Sequence, residues 1–253
     1  MRRYAAEALG TFAVVFTGCG AAAVGGAKLG ALGVALAFGL ALGAVTLVMA
    51  PISGAHLNPA VTLAMALVGR LPGRDILPYI AAQIAGAASG AALVVTMAEG
   101  RPGGATRIAD TLAGGYGSRS PGFYGPGAVA IAEVALTGIF VLVVLAGATR
   151  GGAPRGPRIE ASHASFAITA GVAYTLIHLV GMPVAGLGAN PARALGPALL
   201  AGGQALTQSW LFVLAPMLGA GLAALAHRAL HSAPAEGLPF RRAAPGDQGE
   251  LRE

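Results

Sequence analysis

Two copies of the tripeptide Asn-Pro-Ala are the part of this sequence with the clearest chemistry. They are Asn58-Pro59-Ala60 and Asn190-Pro191-Ala192, and 132 residues separate the two asparagines. Asparagine is a favoured helix N-cap and proline is favoured at the first helical position, so each copy predicts the start of a helix. A capping asparagine uses its side-chain oxygen, which leaves its NH₂ group free to donate hydrogen bonds. Two such donors could hold one passing oxygen atom.

The apolar stretches that contain the motifs, at about 58–69 and 190–201, are too short to cross a bilayer. We expect them to form half-helices that enter from opposite faces and meet near the bilayer centre. Their positive N-terminal ends would then repel cations. Residues 54–57 and 186–189 would expose backbone carbonyls, which are tolerated at membrane depth only if they are buried or line a wet cavity. These carbonyls would be the acceptors for a file of water.

Composition and hydropathy indicate the elements that must position the motifs. The chain is 55% hydrophobic and 10% charged, whereas a soluble domain carries about 25% charged residues. Runs long enough to cross a membrane lie at about 4–24, 32–51, 79–98, 128–149, 161–183 and 208–230. The predicted fold is an all-α integral membrane protein with six transmembrane helices and two half-helices. The arginines behind the net charge of +6 lie in loops and tails rather than on one helix face, which argues against nucleic-acid binding.

Arginine placement predicts the orientation in the membrane. Arginines precede the first run, separate the second from the third and the fourth from the fifth, and follow the sixth. All these segments fall on one side, which the positive-inside rule assigns to the cytoplasm. We therefore expect a multi-pass protein of a bacterial-type inner membrane with both termini cytoplasmic, and a polar cytoplasmic tail at 231–253.

The halves of the chain repeat each other, with repeat one at about 1–100 and repeat two at about 127–230, so that 1–230 forms the channel domain. Glu7 opens the first span and Glu133 lies early in the fourth. Each half has an odd number of spans, so the halves must be inverted, an arrangement typical of a transport pathway. Intramembrane carboxylates can relay protons. Their matched places favour instead a supporting role, in which each accepts hydrogen bonds from N–H groups of a pore loop.

The sequence resembles the aquaporin and glycerol-facilitator family, the major intrinsic proteins. The resemblance covers about 4–230 and is carried by 53–62, Asn190 to Arg193, Glu7 and Glu133, and by the segments 16–20 and 176–179. It implies a right-handed aquaporin-type bundle that assembles as a homotetramer with one pore per subunit. It implies neither an enzyme nor a cofactor, and no nucleotide loop, metal cluster or catalytic triad is recognisable in the sequence.

The resemblance also implies a narrow selectivity filter. By spacing from the motifs, its residues are Phe38, His178, Leu187 and Arg193. An arginine at membrane depth is functional by default, and its fixed charge would repel protons and cations. His56, two residues before Asn58, is expected to shape the cytoplasmic pore loop.

These residues predict a passive water channel that excludes ions and protons. Phe38 and His178 favour a water-sized opening, while Leu187 replaces the small side chain usual in water channels, so a facilitator of glycerol or another small neutral solute remains the alternative. The Leu187 side chain could pack beside Arg193 or project into the lumen. An ion-coupled transporter would need a coupling site, and no acidic pair is visible beyond the two repeat glutamates.

Overall fold

The computed structural model describes residues 1–100, 108–148 and 157–231. These residues form helices and loops, with no strand among them. The helices, in chain order, are α1 Arg2–Gly20, α2 Gly26–Ser53, α3 Pro59–Leu67, α4 Ile76–Glu99, α5 Ile108–Leu112, α6 Pro126–Gly147, α7 Pro157–Ala185, α8 Pro191–Ala201 and α9 Gly203–His231. Almost all of the predicted tail lies outside the described residues.

Six of these helices, α1, α2, α4, α6, α7 and α9, are long and apolar enough to cross a bilayer, which confirms the predicted spans. Several start earlier than expected. Helix α7 begins at Pro157 rather than 161, and α9 begins at Gly203 rather than 208. Hydropathy marks only the hydrocarbon-facing part of a helix, so polar first turns were missed. Large apolar side chains such as Leu40, Ile131 and Ile168 stay exposed on the outer surface, as expected where lipid is the solvent.

The two short helices begin where the sequence predicts. Pro59 is the first residue of α3 and Pro191 the first of α8, and the asparagine before each proline caps the helix. Helix α3 has 9 residues and α8 has 11. At about 1.5 Å per residue each covers roughly half of a hydrocarbon layer about 30 Å thick. Each is therefore a half-helix, and its buried N-terminus lies inside the bundle.

Glycines allow matched helix pairs to pack closely in the two halves. Gly86 of α4 faces the backbone carbonyl of Ala8 in α1, and a Cβ at residue 86 would collide with it. Gly219 of α9 meets the carbonyl of Val134 in α6 in the same way. Ala8 follows Glu7 and Val134 follows Glu133, so the same contact recurs beside each buried glutamate. Close backbone approach at small residues is how helices associate in lipid.

Basic residues from distant segments meet at one end of the bundle. Arg3 pairs with Asp75 at 3.0 Å, and Arg70 donates to the carbonyl of Leu145 at 2.7 Å. Arg3 and Arg70 also line a cavity of about 350 Å³ that reaches His56. Two of the arginines that predicted the orientation, Arg3 and Arg70, therefore lie at the same end of the bundle. Their assignment to the cytoplasm stays a prediction.

The packing at Gly219 predicts a difference between this glycine and Gly221, two residues further along α9. Gly219→Ala places a methyl group against the Val134 carbonyl and should destabilise the protein by about 1–3 kcal/mol, the usual cost of overpacking. Gly221→Ala is the matched control, because a Cβ there meets nothing within 4 Å. Thermal unfolding in detergent should show a lower midpoint for Gly219→Ala alone. Equal midpoints for the two variants would contradict the packing.

Candidate functional site

The pore loops that precede the half-helices have the same unusual backbone. Left-handed φ angles occur at Gly54 (89°), Ala55 (50°) and Leu57 (53°), and at the matched residues Gly186 (73°), Leu187 (30°) and Ala189 (45°). A non-glycine residue in this region costs on the order of 1–3 kcal/mol and persists only when its surroundings enforce it. The side chains around each loop must therefore supply that enforcement.

Glu7 holds the first pore loop. Its carboxylate accepts backbone N–H hydrogen bonds from His56 at 3.0 Å and from Leu57 at 2.6 Å. It also accepts from the Ser53 hydroxyl at 2.6 Å and from the Gln83 amide at 2.8 Å. Glu7 is fully buried. Its oxygens are thus occupied by donors from the loop and from α4.

Glu133 holds the second pore loop in the same manner. It accepts the backbone N–H groups of Gly188 at 2.6 Å and Ala189 at 2.8 Å. These residues occupy the places that His56 and Leu57 occupy in the first loop, so the two carboxylates act as equivalent supports. The geometry favours this role over a proton relay for both glutamates.

His56 shapes the first loop as well as being held in it. Its Nδ1 atom lies 3.2 Å from the Thr62 hydroxyl, and its ring packs 5.0 Å from the ring of Tyr79. Thr62 in turn accepts from the Gln83 amide at 2.9 Å. The imidazole therefore links the pore loop to the half-helix behind it, beside the cavity that Arg3 and Arg70 line.

The asparagines of the two motifs cross over between the pore loops. The Asn58 oxygen caps α3 by accepting from the Ala60 N–H at 2.8 Å, and the Asn190 oxygen caps α8 by accepting from the N–H groups of Ala192 (3.0 Å) and Arg193 (3.2 Å). Each NH₂ group also donates to the opposite loop. Asn58 donates to the Ala189 carbonyl at 2.8 Å, and Asn190 donates to the Leu57 carbonyl at 2.8 Å.

This crossing corrects one expectation. The sequence predicted that each asparagine NH₂ group would stay free for the pore, but one of its two hydrogens is committed to the other half of the protein. The amide therefore presents a single remaining N–H. The expectation was incomplete because the sequence does not show which backbone carbonyl of the opposite loop lies within reach.

Three of the four predicted filter residues lie together, because both His178 and Arg193 contact Phe38. The Phe38 and His178 rings stack with centroids 4.6 Å apart, and the Arg193 guanidinium lies 5.3 Å from the centre of the Phe38 ring. His178 Nδ1 lies 2.8 Å from the Tyr174 carbonyl, so Nδ1 carries the proton and Nε2 of the neutral ring is an acceptor. Among the described residues, His178 Nε2 and the Nε and Nη1 atoms of Arg193 are buried without a hydrogen-bond partner. Passing water can supply those partners.

Leu187, the fourth predicted filter residue, packs into the bundle. Its side chain fills the space that Gly181 of α7 leaves open, where a Cβ on Gly181 would collide with the leucine and with Leu136. The sequence did not predict this contact, because the two orientations considered there took no account of the size of residue 181. The role of Leu187 in selectivity stays a prediction.

The sequence predicted no role for several supporting residues. Ser53, Thr62 and Gln83 complete the network around Glu7, and the spacing of Gln83 within α4 gives no sign of the glutamate that it meets. At the other end of the bundle, the segment before α6 forms hydrogen bonds with the end of α7, which leads into the second pore loop. The Gly115 N–H donates to the Ala185 carbonyl at 3.1 Å, and the Ser120 hydroxyl donates to the Val184 carbonyl at 2.6 Å.

Fold and site together define an integral membrane channel of inverted-repeat construction. The chain belongs to the major intrinsic protein family, whose model matches residues 1–227. It is 43% identical to "Aquaporin Z" of Bradyrhizobium diazoefficiens over 92% of this chain and 95% of that protein, and 44% identical to "Aquaporin Z" of Rhodopseudomonas palustris over 92% and 94%. The solved aquaglyceroporin of Plasmodium falciparum is similar in structure, with a TM-score of 0.73 at 25% identity over 88% of this chain and 93% of that chain.

The two hydrogen bonds that Glu133 accepts predict the effect of removing one acceptor. Glu133→Gln keeps the shape of the side chain but leaves one amide oxygen, so the N–H of Gly188 or Ala189 loses its partner. Such a loss costs about 1–3 kcal/mol. We expect a lower thermal midpoint in detergent. Glu99→Gln at the exposed end of α4 is the matched control and should leave the midpoint unchanged. Equal midpoints for the two variants would contradict the supporting role.

The contact between Gly181 and Leu187 predicts a conditional effect on permeation. Gly181→Ala should push the Leu187 side chain out of its space and lower the water permeability of proteoliposomes in stopped-flow light scattering. Adding Leu187→Ala to Gly181→Ala should restore it, because alanine no longer needs that space. Wild-type permeability in the Gly181→Ala protein would show that Leu187 does not depend on residue 181.

Proposed function

We propose that this protein is a passive water channel that excludes ions and protons. The observation that carries the proposal is the junction of the two half-helices, where Asn58 and Asn190 each bond to the opposite pore loop and each keep one N–H for the lumen. Two donors at one place suit a single water oxygen. The similarity to proteins named Aquaporin Z supports the same function.

Charge exclusion follows from the orientation of the half-helices. The capped N-termini of α3 and α8 meet at the asparagines, so the positive ends of both helix dipoles point toward the same part of the lumen. A cation there would lose its hydration shell and be repelled by the positive ends of both half-helices. A water that accepts from both asparagines turns its own hydrogens outward, which interrupts a hydrogen-bonded chain along which protons could move.

The filter contributes a second barrier and a size limit. Arg193 is 4% exposed and leaves Nε and Nη1 without partners among the described residues, so it offers donors and a fixed positive charge. His178 offers its Nε2 atom as an acceptor in the same filter. A narrow, polar opening of this kind suits water better than glycerol, which makes glycerol facilitation the outcome to be tested against.

Placement in the membrane and assembly belong to the same proposal. We infer an inner membrane location with both termini in the cytoplasm, supported by the convergence of Arg3 and Arg70 at one end of the bundle.

A homotetramer with one pore per subunit rests on the family resemblance. An apolar groove between α2 and α7, lined by Leu40, Leu47 and Ile168, is consistent with a surface buried by lipid or by a second copy.

The proposed function predicts the behaviour of purified protein in liposomes. Under osmotic shock, proteoliposomes should shrink faster than empty liposomes, with a low activation energy, and glycerol should stay excluded.

The double variant Arg193→Val with His178→Ala removes the charge and the bulk of the filter, so it should admit glycerol or protons. Stopped-flow light scattering and a pH-sensitive dye inside the vesicles measure these fluxes.

Arg74→Val is the control for loss of an arginine, because Arg74 is exposed and lies outside the filter. It should leave water, glycerol and proton fluxes as in the wild type. Wild-type proteoliposomes no faster than empty ones at verified protein density would contradict water conduction. A folded double variant with wild-type selectivity would instead contradict the filter assignment.

A further inference from the structure

A tyrosine occupies the stretch of α7 between the filter and the asparagine junction. Tyr174 precedes His178 by four residues, so the two side chains lie on the same face of the helix. Their ring centroids are 4.2 Å apart, and the Tyr174 ring also lies 6.3 Å from the ring of Phe38. Tyr174 therefore continues the aromatic wall of the filter by one turn toward the bilayer centre.

The other end of Tyr174 reaches the junction. Its hydroxyl neighbours the side chain of Asn190, and Arg193 lies close enough to influence it electrostatically. Only 1% of Tyr174 is exposed. Even so, no described residue forms a hydrogen bond of normal geometry with the hydroxyl. A buried hydroxyl without a partner is costly, whereas one that faces a water file obtains its partner from that file.

Other aromatic side chains pack against the Tyr174 ring. Phe140 of α6 packs against Tyr174 with ring centroids 5.0 Å apart, and Phe38 closes another side. The Tyr174 hydroxyl, buried without a partner and close to Asn190, can hydrogen-bond a molecule that passes from the filter to Asn190. The phenol ring also takes up volume that a smaller residue would leave to the lumen.

We propose that Tyr174 forms a second, polar constriction of the pore, in which its hydroxyl binds the permeating water between the Phe38, His178 and Arg193 filter and the Asn58 and Asn190 junction. The inference rests on the proposed function and adds a residue that sets both the width and the polarity of the lumen. The hydroxyl hydrogen-bonds water after it leaves the acceptor and donors of the filter and before it reaches the donor of Asn190. The ring limits which solutes can follow.

Two substitutions separate the roles of hydroxyl and ring. Tyr174→Phe keeps the ring and removes the hydrogen bond, so water must cross an apolar turn. Its water permeability should fall about fivefold, the effect of a hydrogen bond of ordinary strength, and the activation energy should rise. Tyr174→Val removes the ring as well, so it should conduct water faster than the wild type and admit glycerol. Tyr124→Phe, at a tyrosine that is 45% exposed, is the matched control and should behave as the wild type.

Stopped-flow measurements on wild-type, variant and empty vesicles, with folded protein verified by size-exclusion chromatography, distinguish the outcomes. If the wild type conducts and both Tyr174 variants match it in water and glycerol flux, the constriction is overturned and the proposed function stands. If the wild type is silent but Tyr174→Val conducts, the proposed function fails and the constriction is supported. Silence of both the wild type and Tyr174→Val contradicts both.

Discussion

The structure depends on finding hydrogen-bond partners for the N–H and C=O groups of irregular backbone at membrane depth. Lipid supplies no hydrogen bonds, so each pore loop must find its partners inside the protein. The crossed bonds from Asn58 to the Ala189 carbonyl and from Asn190 to the Leu57 carbonyl meet part of this need, both at 2.8 Å. Each pore loop therefore accepts a hydrogen bond from the asparagine of the opposite repeat.

The remaining partners come from two buried carboxylates and from small residues. Glu7 and Glu133 each accept two consecutive backbone N–H groups from the loop beside them. Gly86 and Gly219 let the helices that carry these glutamates approach their neighbours closely. Among the described residues, the filter atoms His178 Nε2 and Arg193 Nε and Nη1 are left without protein partners, and passing water can satisfy them. The polar groups of this region therefore serve two purposes. Some bond to protein and hold the pore loops, and others remain available to bond passing water.

Much of this arrangement could be predicted from the sequence because the repeat is visible in it. Matched spacing identified Asn58 and Asn190, and it also identified the glutamates as supports. The sequence could not show what depends on contacts between distant helices. The orientation of Leu187 follows from the absence of a side chain at Gly181. The asparagine crossing depends on how closely the two loops meet, and helix ends beyond the hydrocarbon layer leave no signal in hydropathy.

The most direct test is the position of water at the junction, in an experimental structure of the protein in lipid nanodiscs at a resolution that shows ordered water. We expect a water oxygen within about 3 Å of the side-chain nitrogens of both Asn58 and Asn190, accepting a hydrogen bond from each. Continuous water density that contacts neither nitrogen, or asparagines whose NH₂ hydrogens are all bonded to protein, would contradict it.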